Sequence, residues 1–348
     1  MNMWGFHVTI KKQNNTHELS NQYLWSMELN EQPLIYFAPL QESTDYVYRR
    51  AHARLFEGID KYFSTYMLVQ NDGTIKKSRL RDTLQENCNG YNLVPQIMAG
   101  NSSEFLVLAK YLSEIGYEEI NWNLGCPYPM VTKKGMGSGL LPHPDKIREI
   151  LDHSMSQIKC RISVKMRSGL DSAEEILKVV PILNDYPLTE VILHPRTAKQ
   201  MYTGTPDLEV FEMVMGLSKH PLVYNGDLTT PEALLPIHDR FKSLNTWMIG
   251  RGLLKNPFLA AEIKGFQLPG REERILILEQ FHDEVLSNYA TLLSGQSHLI
   301  TRMIKYWEYF CFLFPNPHKA FKRVKKSVNQ TKYEIAVRDN FMQLRNEE

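Results

Sequence analysis

The chain has 348 residues, 43% of them hydrophobic, enough to fill one large barrel or two ordinary domains. Its net charge of +1 excludes a global electrostatic argument for nucleic acid or membrane, so any such claim must rest on local patches. Cys88, Cys126, Cys160 and Cys311 stand apart with no C-x-x-C pair. That argues against a zinc site or a disulfide framework and for a reducing, cytoplasmic setting.

Residues 1–32 are polar and lack sustained periodicity. The N-terminus has no basic region leading into a long apolar stretch, and no later run reaches membrane-spanning length, so the chain reads as neither exported nor anchored. The first clear signal is the apolar run 34–38, a strand buried on both faces and ended by Pro39. A helix over 45–58, opened by an acidic residue and stopped by glycine, follows it. Strands are then expected at 61–67 and 93–97, with a polar excursion over 70–92 between them. A helix over 102–115 closes at Gly116, and 118–123 is the next strand. Helices over 145–153, 172–184 (broken near Pro181), 207–217 and from Pro231 onward alternate with strands at 161–166, 189–193, 221–224 and 245–249.

Eight such units over about 230 residues match a (β/α)8 TIM barrel. An open doubly wound sheet is the competitor, but it usually carries a G-x-G-x-x-G turn after its first strand, where this chain has Ala-Pro-Leu-Gln. From Arg271 the pattern turns to long helices (271–293, 299–314, 320–341), a separate all-α domain. Its last part is basic, with Lys322, Arg323 and Lys326 among aromatic residues that include Trp307, Tyr309 and Phe310. A packed aromatic core with solvated charged faces explains this as well as RNA binding does.

Barrel enzymes place their chemistry at the C-terminal ends of strands, and nearly every strand here ends in reactive or polar residues. Pro39, Leu40 and Gln41 follow the first strand and Gln96 ends the third. Lys165 and Arg167 end the fifth, His194 and Arg196 the sixth, Asn225, Gly226 and Asp227 the seventh, and Gly250 and Arg251 the eighth. The last two groups fall where barrels commonly bind phosphate. Lys165 interrupts an apolar strand and needs either a carboxylate partner or a cofactor ring that gains negative charge on reduction. After the fourth strand comes Cys126, between Gly125, expected to supply φ > 0, and Pro127. The thiol is therefore expected on a stiff turn, with Lys133, Lys134 and the glycines of 135–139 forming a mobile basic loop behind it; a buried apolar cysteine is the alternative.

The ordered set Ala38-Pro39, Pro95-Gln96, Asn123-Leu-Gly-Cys126-Pro127, Gly135-x-Gly-Ser-Gly-Leu-Leu141, Val164-Lys-Met-Arg-Ser-Gly169, His194-Pro-Arg-Thr197, Asn225-Gly226-Asp227 and Gly250-Arg251 resembles the bacterial tRNA-dihydrouridine synthases. That resemblance implies an FMN-binding barrel over 33–265 and a helical tRNA-binding domain over 266–348, preceded by an N-terminal extension (1–32) with no assigned role. It implies that FMN rests on Pro39, Leu40 and Gln41, with Gln96, Lys165 and His194 at its ring and Asn225, Gly226, Asp227, Gly250 and Arg251 at its phosphate. Cys126 would give a proton to C5 of a uracil while hydride goes to C6, and NADPH would be the reductant. Asn123, Lys133, Arg167, Arg196, Lys322, Arg323 and Lys326 would contact the tRNA. No metal is expected, and a monomer is. An FMN barrel acting on a free pyrimidine or another small molecule is the alternative, as is a barrel that binds RNA without catalysis.

Overall fold

The computed structural model describes residues 32–347, and the expected N-terminal extension falls outside them except for Gln32. Eight parallel strands form the centre: β1 (Leu34–Phe37), β2 (Lys61–Phe63), β3 in two halves (Leu93–Val94 and Gln96–Ile97), β4 (Glu119–Leu124), β5 (Arg161–Gly169), β6 (Leu188–Thr197), β7 (Leu222–Asn225) and β8 (Thr246–Ile249). The sheet closes because β1 pairs with both β2 and β8, while the two halves of β3 pair with β2 and β4. Pro95 splits β3 because it has no N–H to donate, yet its carbonyl still accepts from Asn121 N at 2.9 Å. Alternation along each strand sorts the core. In β1, Tyr36 joins Phe63, Val94, Ile192, Val223 and Met248 in the lumen, and Ile35 and Phe37 pack outward into the helix layer.

Around the barrel run α1 (Tyr46–Leu55), α2 (Ser102–Glu114), α3 (Pro144–Ser154), α4 (Glu175–Leu183), α5 (Leu208–Leu217), α6 (Leu235–Arg240) and α7 (Arg251–Lys255). Side chains of Asp45, Asn101 and Asp207 cap α1, α2 and α5, each accepting from a backbone N–H of the first turn. Several expectations shift. Residues 70–92 hold two short helices, Lys77–Arg81 and Gln85–Cys88. Helix α4 passes through Pro181 unbroken, since the missing N–H falls in the last turn and Asn184 N still reaches Val180 O at 3.0 Å. The helix expected from Pro231 begins at Leu235, after consecutive turns.

The C-terminal region has α8 (Arg271–Leu292), α9 (Gln296–Phe310), α10 (Pro317–Lys325) and α11 (Gln330–Asn346). The single helix expected over 320–341 is thus two, because Asn329 caps a new start by accepting from Lys332 N at 2.9 Å. Most of the aromatic residues there are core. Trp307 donates to the Tyr333 hydroxyl at 2.9 Å, and Phe281 meets Tyr48 and Phe56 of the barrel edge-on at 5.2 and 5.0 Å. One apolar cluster therefore runs from the barrel helices into the tail.

Polar contacts clamp the loop after β1 from the tail side. Arg302 donates to the Glu42 carbonyl at 2.6 Å and pairs with Asp45, Tyr289 donates to Asp45 at 2.8 Å, and Lys305 pairs with the Glu42 carboxylate at 3.2 Å. Glu42 sits at φ 67°, a left-handed conformation that a non-glycine residue keeps only when its surroundings hold it there. Among the described residues, no helix is long and apolar enough to cross a membrane.

Candidate active site

The C-terminal ends of the strands open into a cleft of about 1220 Å³, counted out to its mouth. A relay of amides runs across its floor. Asn121 donates to Ser163 Oγ at 3.0 Å and accepts from Gln96 at 2.8 Å, and Gln96 accepts from Asn123 at 2.7 Å. Asn123 Oδ1 then accepts from the backbone N–H groups of Gly125 and Cys126, both at 2.9 Å. Each amide is fixed in orientation by its neighbour, and Gln96 keeps one N–H free of this relay. Asn123, expected at the substrate, lines the cleft and shapes the turn that carries the thiol.

Gly125 is not in the left-handed region. It lies close against β5 instead, where a Cβ would be a tight 3.3 Å from the Met166 carbonyl carbon. The loop behind Cys126 is also not mobile in the way its glycines suggest. Gly137, at φ +57°, fits where a Cβ would be 2.9 Å from the Cys126 carbonyl oxygen, and Ser138 Oγ donates to that oxygen at 2.8 Å. Residues 137–141 are buried, while Lys133 and Lys134 are exposed and outside the cleft lining. Cys126 is 8% exposed and packs with Met98, Val131 and Met136. Burial pushes its thiol up, with the Tyr128 N–H, the Tyr66 hydroxyl, Arg167 and Lys165 pulling the other way.

Lys165 lies on β5 with its ammonium at the cleft. No carboxylate pairs with it among the described residues, which removes the salt-bridge reading, and burial followed by repulsion from Arg167 pushes it down to about 7. His194 on β6 has Nε2 3.2 Å from Arg196 Nη1. A guanidinium only donates, so Nε2 accepts and the ring proton sits on Nδ1. Burial, then the nearby Lys165, Arg167, Arg196 and Arg251, hold the imidazole neutral.

Arg196, expected to contact RNA, is withdrawn from the surface. It is 0% exposed, bidentate on Asp227 with one contact at 2.9 Å, and also donates to the Gly204 carbonyl. Asp227 accepts from Arg251 as well, at 2.8 Å. A carboxylate shared by two guanidiniums anchors both arginines, and Asp227 itself lines the cleft. Arg251 lies over the Tyr202 ring at 4.3 Å, with Arg167 over the same ring at 5.5 Å. Arg167 is buried and donates to Thr197 O at 2.7 Å, yet lines the cleft.

The remaining cofactor candidates converge on the same mouth. Asn225 donates to Met248 O at 2.8 Å, joining β7 to β8. Gly226 and Gly250 line the cleft beside it, and Gly252 packs so tightly that a Cβ would meet Leu228 O at 2.1 Å. Pro39, Leu40 and Gln41 form one wall, with Leu40 N bonded to Thr44 Oγ1 at 2.8 Å and the Gln41 amide facing Arg79. On the tail, Lys322 and Lys326 are exposed, and part-buried Arg323 donates through Nη1 to Asn340 and Gln343 of α11, both at 2.8 Å. Sequence reasoning missed Tyr66, Tyr128 and Tyr202 in the lining and gave Tyr309 no place there. Only Tyr128, two residues past Cys126, stood beside a signal that pointed to it.

A closed parallel barrel with cations and a thiol gathered at its C-terminal mouth, roofed on one side by helices, is the framework of a barrel enzyme. Residues 36–346 match the family model described as dihydrouridine synthase. The chain belongs to the dihydrouridine synthase family and is an oxidoreductase. It is 26% identical over 320 residues to the tRNA-dihydrouridine synthase B of Pasteurella multocida, covering 89% of this chain and 93% of that protein. It is 25% identical over 316 residues to a probable tRNA-dihydrouridine synthase of Rickettsia bellii, covering 89% and 94%. Histamine dehydrogenase from Rhizobium sp. 4-9 shares the fold at TM-score 0.51 and 11% identity, over 76% of this chain and 51% of that one.

Proposed function

We propose that this chain reduces the C5–C6 double bond of particular uridines in tRNA, with FMN seated across the barrel mouth and NADPH as reductant, as a cytoplasmic monomer. Lys165 carries the reading: an enclosed ammonium without a carboxylate partner among the described residues calls for an electron-rich ligand in the cleft. The residues present fit a flavin mononucleotide. The free N–H of Gln96, the Nδ1–H of His194 and the Lys165 ammonium suit a polar heterocycle that becomes negative on reduction. Pro39, Leu40 and Gln41 would support the ring, and Asn225, Gly226, Gly250 and Arg251 would take the phosphate, with Asp227 holding Arg251 in place.

When bound, the flavin supplies the hydride for C6 of the uracil ring. Cys126 holds a proton on Sγ, kept there by burial, and delivers it to C5. A stacked uridine cannot enter the cleft, so the nucleotide must leave the RNA helix, with Arg167 forming one wall of the site it enters. The barrel (33–265) would carry this chemistry and the helical region (266–348) would hold the RNA body through Lys322 and Lys326, with the exposed Lys133 as a further contact outside the cleft.

Purified protein with NADPH and dihydrouridine-free tRNA is expected to yield dihydrouridine at a defined position by mass spectrometry. No product from flavin-loaded protein would overturn the reading, and equal reduction of free uridine would favour the small-molecule alternative. Lys322→Glu combined with Lys326→Glu is expected to weaken tRNA binding about tenfold and to flatten its log–log salt slope by about 2. Unaltered affinity in a filter-binding titration would make the tail purely structural.

A further inference from the structure

Just past β2, a side chain with no part in the reading above packs on the cluster that holds the thiol and follows a residue locked in a buried polar network. Asp82 accepts from Thr65 N at 3.2 Å, from Thr65 Oγ1 at 2.6 Å and from Tyr46 N at 2.6 Å, and Arg49 pairs with it at 3.2 Å. Thr65, Asp82 and Arg49 are each at most 1% exposed. Arg79 donates to Thr65 Oγ1 at 2.8 Å and lies 6.0 Å from the centre of the Tyr66 ring. A buried ion pair with this many bonds fixes geometry more than it adds stability. What it fixes here is Tyr66, which lines the cleft and packs on the cluster of Met98, Cys126, Val131 and Met136.

We propose that Tyr66 is a positioning residue for the proton-transfer step: its hydroxyl faces the Cys126 sulfur and donates a hydrogen bond to the thiolate left when the proton moves to C5. The inference rests on the reading of Cys126 as the acid. In that step the S–H bond breaks and the C5–H bond forms, Tyr66 keeps its own proton, and the thiolate later regains one from water. The groups facing Cys126 are Tyr66 from the loop after β2, Lys165 and Arg167 from β5, and the Tyr128 N–H of its own loop. Those facing Tyr66 are Cys126, Arg79 and Tyr128. Burial pushes the Tyr66 phenol up to about 12, so it remains a donor throughout the working pH range.

The test is the pH dependence of Cys126 alkylation by iodoacetamide in the flavin-loaded protein, followed on its own peptide by mass spectrometry, because only the thiolate reacts. With Tyr66→Phe the midpoint is expected to rise by about one pH unit, and kcat for tRNA to fall about tenfold with KM unchanged. Arg79→Gln, which loosens the ring but keeps the hydroxyl, should move the midpoint the same way by less. An unmoved midpoint in Tyr66→Phe, with Cys126→Ala inactive, overturns the role of Tyr66 alone. A moved midpoint with Cys126→Ala fully active removes the acid reading, and with it the step that Tyr66 serves.

Discussion

Cys126→Ala is expected to retain bound flavin and to reduce tRNA about 10³-fold more slowly in single turnover, within the 10²–10⁴ range that a positioned acid supplies. The substitution is clean because the turn is built from backbone contacts. Asn123 Oδ1 receives the N–H groups of Gly125 and Cys126, and Ser138 bonds the Cys126 carbonyl, none of which involves sulfur. The pH profile carries the same information. Burial raises the thiol above its ordinary value, so the acid stays loaded through neutral pH and the wild-type rate falls only as pH climbs past that raised pKa. Turnover in Cys126→Ala equal to wild type would assign the proton to another group.

Lys165→Met should make the bound flavin harder to reduce. A unit charge 4 Å from another is worth about 4 kcal/mol at the effective dielectric of a protein surface. Taking roughly half of that for partial solvent access gives a potential about 40 mV more negative for a two-electron couple. Methionine keeps the length of the side chain, so the cleft wall should survive and the effect should be electrostatic. Spectroscopic redox titration reads it directly, and an unshifted potential would place the lysine away from the part of the ring that gains charge.

The barrel was legible because β1 and β4 through β8 announce themselves as apolar runs, and because the polar residues at their ends fall at one mouth. Pairing across the mouth was not. Arg196 has the look of a surface cation in sequence, and only the fold shows that β6 turns it inward onto Asp227. The glycines of 135–139 suggested looseness because composition cannot distinguish a glycine that gives freedom from one that admits a neighbour. Gly137 does have a positive φ, but it is also the surface against which the Cys126 carbonyl lies. Residues 70–92 were the least readable, being polar and without period, yet they supply Arg79 and Asp82, which bond Thr65 next to Tyr66. Buried ion pairs of this kind leave no periodic trace, since their partners are set by tertiary contact between segments far apart in sequence.

The clamp that Arg302 and Lys305 place on Glu42 bears on how such enzymes can diverge. The loop it grips is the same loop that forms a wall of the cofactor cleft, two residues after Leu40. A tail exchanged with a relative's to redirect the enzyme toward another nucleotide would arrive with a different grip, and the barrel would feel it at the flavin. On the proposed reading the tail's hold on RNA and the wall of the cleft are coupled, and a chimera is expected to keep its flavin only when Glu42, Asp45, Arg302 and Lys305 are carried across as one unit.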